Sequence, residues 1–199
     1  MGTNFQPPFT TPENPAFTIE GSLNSPNIGN YYIGKGLVSI KLLGESVFTP
    51  VGNCPQFEFF AKVNQLDHYS SMTGVKVKDF TAVIEISGEL TMVLEELTAR
   101  NMGLGMLGLP IGGPSPADEY VDIIADPVIY GAVQFVGQNV IGPVWTVQFP
   151  LVSLKPSKAI SLIGNTWGTV DLKGDVLFDA RTGGFGQAYV SLPTSPIPD

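Results

Sequence analysis

Glycine and proline break this chain into short pieces. Twenty-three glycines and seventeen prolines are spread over 199 residues, and they fall between short β-branched and aromatic runs rather than inside long helical ones. Proline removes a backbone donor, and glycine gives up the most conformational entropy on folding, so neither suits the interior of a long helix. Short strands joined by turns are what such punctuation accommodates, and the chain reads as all-β with one short flanking helix.

Alternation with a period of two supports this reading. From Lys35 onward Val38, Ile40 and Leu42 fall on one face and Ser39 and Lys41 on the other. The run 57–63 repeats the pattern, with Phe57, Phe59, Ala61 and Val63 alternating against Glu58, Phe60 and Lys62. Residues 64–79 are polar and too many for a tight turn, which predicts a long loop or a protruding hairpin. In 80–93 a strict period of two places Phe80, Ala82, Ile84, Ile86, Leu90 and Met92 inward, and Thr81, Glu85, Ser87, Glu89 and Thr91 outward.

One helix is predicted, over 95–107. Glu95 and Glu96 would stand in a first turn where the helix dipole favours anions, with Leu97, Asn101, Leu104 and Met106 along one stripe; Gly103 and Gly105 weaken it. A Pro/Gly loop follows over 109–119, then strands at 120–124, 127–136, 143–154, 158–163, 166–179 and 188–192. The domain organisation expected is an extended N-terminal arm over 1–34, a β domain over 35–192 and a proline-rich tail over 193–199. The arm carries Phe5, Phe9, Phe17, Tyr31 and Tyr32, so it is either a flexible terminus or a segment laid on its own domain or on a neighbour.

Composition narrows the function. Charged residues make up 14% of the chain, against about 25% in ordinary soluble domains, which points to surface buried in an assembly. A net charge of -8 argues against a protein that grips nucleic acid by neutralising phosphates. Cys54 is the only cysteine, so neither an intrachain disulfide nor a cysteine-based zinc site can form. Residues 1–17 lack the basic and apolar regions of a signal peptide, and no apolar run is long enough for a membrane helix.

The chemistry of catalysis is thin. His68 is the only histidine, and Ser70 and Ser71 are too near it along one loop to complete a triad. Asp118, Glu119, Asp122 and Asp126 lie close together but without the spacing of a calcium loop, and read as solvated acids. Gly103, Gly105 and Gly108 spell G-x-G-x-x-G, yet they end a helix instead of opening one, so no helix N-terminus is offered to a pyrophosphate. Trp145 sits in an apolar run and reads as core or interface. No cofactor or metal is expected, and the chain does not read as an enzyme.

Three groups of residues carry a resemblance. These are Asn53-Cys54-Pro55-Gln56-Phe57-Glu58, then Leu66-Asp67-His68-Tyr69-Ser70-Ser71 with Val75-Lys76-Val77-Lys78-Asp79, then Phe149-Pro150-Leu151 through Trp167-Gly168 to Leu172-Lys173-Gly174-Asp175-Val176-Leu177. In this order, over 34–192, the chain resembles the major tail tube proteins of long-tailed bacteriophages. That resemblance implies a β-sandwich or barrel whose copies join into hexameric rings stacked into a tube, located in the virion tail after synthesis in the host cytoplasm. It also implies tape measure, tail tip and tail terminator proteins as partners, genomic DNA passing through without specific binding, and no membrane insertion.

Within that expectation Glu85, Glu89, Asp171 and Asp175, taken as outward residues of the two longest strands, are candidates for an acidic channel lining that repels DNA. Lys62, Asp67, His68, Lys76, Lys78 and Asp79 are candidates for contacts between stacked rings. The competing readings are a tail terminator, a capsid decoration protein and a carbohydrate-binding module or glycosidase β-sandwich.

Overall fold

The computed structural model describes residues 31–72, 74–112, 119–139 and 142–191. The strands in chain order are β1 (Gly36–Leu42), β2 (Thr49–Pro50), β3 (Gln56–Ser70), β4 (Val77–Leu94), β5 (Pro110–Gly112), β6 (Glu119–Val121), β7 (Ile129–Gly137), β8 (Val144–Pro156), β9 (Val170–Val176) and β10 (Gln187–Ser191), with helix α1 (Ala99–Met106) between β4 and β5. Eight strands form one antiparallel sheet in the order β2-β1-β7-β8-β9-β4-β3, with β10 also paired to β8; β5 and β6 form a small second sheet. The fold is all-β with one short helix, as the glycine and proline spacing predicts.

The sheet curls onto itself. The ring of Phe57 on β3 stacks on that of Phe135 on β7 with centroids 5.7 Å apart, and Phe59 meets Phe149 on β8 at 5.0 Å, although these strands are distant in the sheet order. The enclosed face carries the core: Val38, Ile40 and Leu42 of β1, Leu90, Met92 and Leu94 of β4, Val133 of β7, Val152 and Leu154 of β8, and Val170, Leu172 and Val176 of β9. Each fully buried aliphatic side chain contributes about 1.5–3 kcal/mol relative to exposure.

Helix α1 begins later than predicted. Glu95 and Glu96 lie ahead of it: the Glu95 amide donates to Asn53 O, and the Glu96 carboxylate accepts from the Asn53 amide at 2.9 Å. Thr98 is the N-cap, its hydroxyl accepting from the Asn101 amide at 3.2 Å. Asn101 is buried, and its amide nitrogen donates to Val51 O at 2.8 Å and Glu96 O at 2.7 Å, tying the helix to the segment after β2. Gly105 lets the helix lie close on its neighbours, since a Cβ there would come within 2.7 Å of Val170 and 2.8 Å of Ile160. Leu107 ends the helix in the left-handed region, at φ 56°.

Other boundaries also differ from the sequence reading. Residues 158–163 form no strand: Lys158 leaves the sheet to pair with Asp171, and Leu162 and Ile163 are exposed. The predicted strand 166–179 shortens to β9, and 120–124 to the end of β6. Pro110–Gly112, within the expected Pro/Gly loop, pairs with β6. Residues 31–35 are irregular, while residues 1–30 of the expected arm and 193–199 of the expected tail lie outside the described residues.

Replacing Asn101 by alanine leaves two backbone acceptors without their donor, and is expected to lower stability by about 2–4 kcal/mol, read as a fall in the urea unfolding midpoint.

Candidate functional site

Strands β3 and β4 make a hairpin far longer than the sheet that supports it. They pair along their whole length, whereas β9 covers the other edge of β4 only from Gly88 to Leu94. From Val77 to Ser87 the hairpin therefore projects as a two-stranded ribbon, with Ser71, Met72 and Gly74 at its tip. This resolves the predicted choice between loop and hairpin, since most of 64–79 is strand.

Two register shifts shape the ribbon. Asn64 pairs with Glu85 but Gln65 with Val83, and His68 pairs with Phe80 but Tyr69 with Lys78, so β4 carries Ile84 and Asp79 as extra residues. A bulge inverts the alternation beyond it. Ile86 shares the face of Leu90 and Met92, but Phe80 and Ala82 fall on the opposite face, with Phe60 and Leu66. The sequence expectation that Phe80, Ala82, Ile84 and Ile86 all point inward is corrected on two counts. The bulge splits them between faces, and Phe80, Ile84 and Ile86 are exposed because no other described element packs over the overhang.

The result is a ribbon with apolar side chains on both faces. Val63, Leu66, Tyr69, Val77, Phe80, Val83, Ile84 and Ile86 are each more than half exposed, and Met72 at the tip is 95% exposed. Exposed apolar side chains on a surface are costly in water, and a two-stranded ribbon is marginal by itself.

An ion pair and a histidine–aspartate hydrogen bond cross the same ribbon. Lys78 Nζ lies 2.7 Å from Asp67 Oδ1, which also accepts from the Thr81 hydroxyl at 3.0 Å, and both hold the Asp67 carboxyl below its ordinary range. His68 Nδ1 is 2.7 Å from Asp79 Oδ1. Asp67, His68, Lys78 and Asp79 thus come together on the hairpin, satisfied by one another, with Lys76 near the tip in the segment leading into β4. Lys62 stands apart, nearer the sheet.

The outer face of β4 and β9 gathers the remaining candidates. Glu89 is bridged by Lys62 at 2.5 Å and Lys173 at 2.9 Å, Asp175 pairs with Lys155 at 2.5 Å, and Asp171 pairs with Lys158 at 2.5 Å. The hydrogen bond from Lys62, followed by that from Lys173, holds the Glu89 carboxyl down at about 2. Burial pushes the Asp171 carboxyl up, but bonds from Lys158 and Thr169 outweigh it and leave it below its ordinary value.

Two corrections follow. Seven-residue β9 is not one of the two longest strands, which are β3 and β4, and Asp171, although on the outer face by register, is only 7% exposed there, paired with Lys158 and Thr169. Three of the four acids proposed as a repelling surface are matched by lysines from neighbouring strands and the loop after β8; Glu85 has no ion pair among the described residues. Sequence reasoning placed the acids on a face but did not see that Lys155, Lys158 and Lys173 answer them.

Elsewhere, Asp126 accepts from the Leu109 amide at 3.1 Å, serving the turn after the helix, while Asp118 lies outside the described residues. Gly103 and Gly105 lie within α1, and Gly108 follows it. Trp145 is part-exposed, and Trp167, which the sequence did not single out for exposure, is 92% exposed.

The family model described as protein of unknown function UCP028589 matches residues 31–113, a span that holds β1 to β5, the overhanging hairpin and the helix. No curated protein matches the chain.

Because the folded-state pKa of Glu89 is depressed, its contribution is complete above the unfolded value of about 4.3 and is lost as pH falls from there through about 2. Glu89→Gln is expected to flatten the pH dependence of the urea midpoint across that window, and carboxyl-carbon NMR of the parent to show Glu89 titrating near its low end.

Proposed function

We propose that this chain is a structural subunit that polymerises with copies of itself, in the manner of the tail tube proteins it resembles, as rings stacked into a tube that conducts phage DNA. The observation that carries the reading is the β3–β4 overhang. A long ribbon, apolar on both faces and open on its edges, gains stability once another chain covers it. A charged content of 14% fits a surface largely removed from water in an assembly. Self-association by such a projecting element is heterologous, since the ribbon meets a different surface on the next copy, and heterologous contacts generate rings and open polymers.

The charge pattern divides the candidate residues. Glu89, Asp171 and Asp175 are largely neutralised where they stand, so they add little repulsion toward DNA; Glu85, unmatched and exposed, is the lining candidate that keeps its charge. The Asp67–Lys78 and His68–Asp79 pairs give the hairpin register and shape, a role suited to a ring-to-ring contact.

Purified protein, concentrated and incubated, is expected to form hollow tubes of stacked rings by negative-stain electron microscopy. The double variant Leu66→Ser, Phe80→Ser changes only exposed positions on the overhang, so its stability is expected to stay within about 0.5 kcal/mol of the parent while tubes disappear. Tubes of normal length from the variant would remove the hairpin from the interface, and a parent chain that stays monomeric throughout would count against polymerisation itself.

A further inference from the structure

One concave surface is not used by the assembly reading. Between the start of β1, the start of β3 and the β7–β8 ladder lies an open groove of about 740 Å³, walled chiefly by Phe57, Phe59, Phe135, Trp145, Val147 and Phe149. Register shows what this wall is. Val147 pairs with Phe135 and Phe149 with buried Val133, so the groove is the core face of the curled sheet continuing into solvent where β3 and β1 fail to meet. Phe59 is 49% and Trp145 37% exposed. Core-face aromatics left facing water are a standing free-energy cost that an apolar occupant would remove.

We infer that the groove seats the chain's own residues 1–30, through Phe5, Phe9 and Phe17. Four observations select this occupant. First, Tyr32, Gly34, Lys35 and Gly36 line the groove, so the segment that precedes them is delivered at its rim. Second, thirty residues reach up to roughly 100 Å when extended, far more than the groove requires, and the tether holds them near it at an effective concentration of about millimolar.

Third, the composition matches: three phenylalanines meet an aromatic trough, and Pro7, Pro8, Pro12 and Pro15 between them reduce the entropy lost on ordering. Fourth, the charges are complementary. Residues 1–30 contain Glu13 and Glu20 and no lysine or arginine, while the one charged side chain of the groove lining is Lys35. A small polar ligand fits less well, because the wall offers few groups to orient one. This inference does not depend on self-assembly.

The chain carries its own reporters, since Cys54, the sole cysteine, and Trp145 both line the groove. In full-length protein with the exposed Trp167 replaced by phenylalanine, we compare thiol modification of Cys54 and acrylamide quenching of Trp145 with and without Phe5→Ser, Phe9→Ser and Phe17→Ser. The intact aromatics are expected to slow Cys54 modification about tenfold, as a tethered occupant at millimolar effective concentration would, and to reduce Trp145 quenching in parallel. The protection should be independent of protein concentration, and a synthetic peptide of residues 1–30 should restore it to the triple variant. Equal rates in the two proteins, or no restoration by the peptide, would overturn the inference. Protection that rises with protein concentration would overturn it too, by placing a second copy in the groove.

Discussion

The structure depends on Gly88–Leu94 of β4, paired to β9 throughout and, as far as Val93, to β3 on the other edge. Their inward side chains, Leu90, Met92 and Leu94, are fully buried. This stretch joins the hairpin to the rest of the sheet, and the curl that brings Phe57 and Phe59 onto Phe135 and Phe149 starts from it. The overhang inherits its alignment from this anchor, because a ladder already fixed at one end extends without a new nucleation step. The Asp67–Lys78 ion pair and the His68–Asp79 hydrogen bond then link the two strands of the distal half, over which no other described element packs.

Above the same anchor, the outer face is arranged as alternating charge. Glu89 between Lys62 and Lys173 ties three adjacent strands together, and Asp175 with Lys155 continues the pattern to β8. Such exposed pairs are individually weak and screened by salt. Their significance is geometric: they tie neighbouring strands across the face opposite the core, so the sheet is braced on both sides at the point where the hairpin leaves it.

Much of this was legible in the sequence. The alternation in β1 identified Val38, Ile40 and Leu42, all buried, and the same rule worked for Leu90 and Met92. It failed at Ile84 because a bulge adds one residue to one strand only, and counting by two along that strand cannot register what its partner lacks. The acids of β9 were misjudged because their lysines come from β8 and from the loop after it. Only the fold shows which lysine meets which acid. Asn101 was read as one residue of a helical stripe; its bonds to the distant Val51 carbonyl and to the nearby Glu96 carbonyl fix where the helix lies, and a polar residue at a buried helix position was the available signal. The groove was invisible because it is made by curvature, which no local pattern encodes.

The length of the overhang has a further meaning. Eleven residues of β4 beyond the anchor, at 3.3 Å per residue, amount to roughly 35 Å of reach, which sets how far from the body of the domain the tip stands. Such a ruler can change only in certain steps. Removing one residue from either arm would turn every side chain beyond the cut onto the opposite face, whereas removing a facing pair from both arms twice over would shorten the reach and keep both faces as they are. Variation in the length of this hairpin should accordingly arise in even increments, like the teeth of a gear.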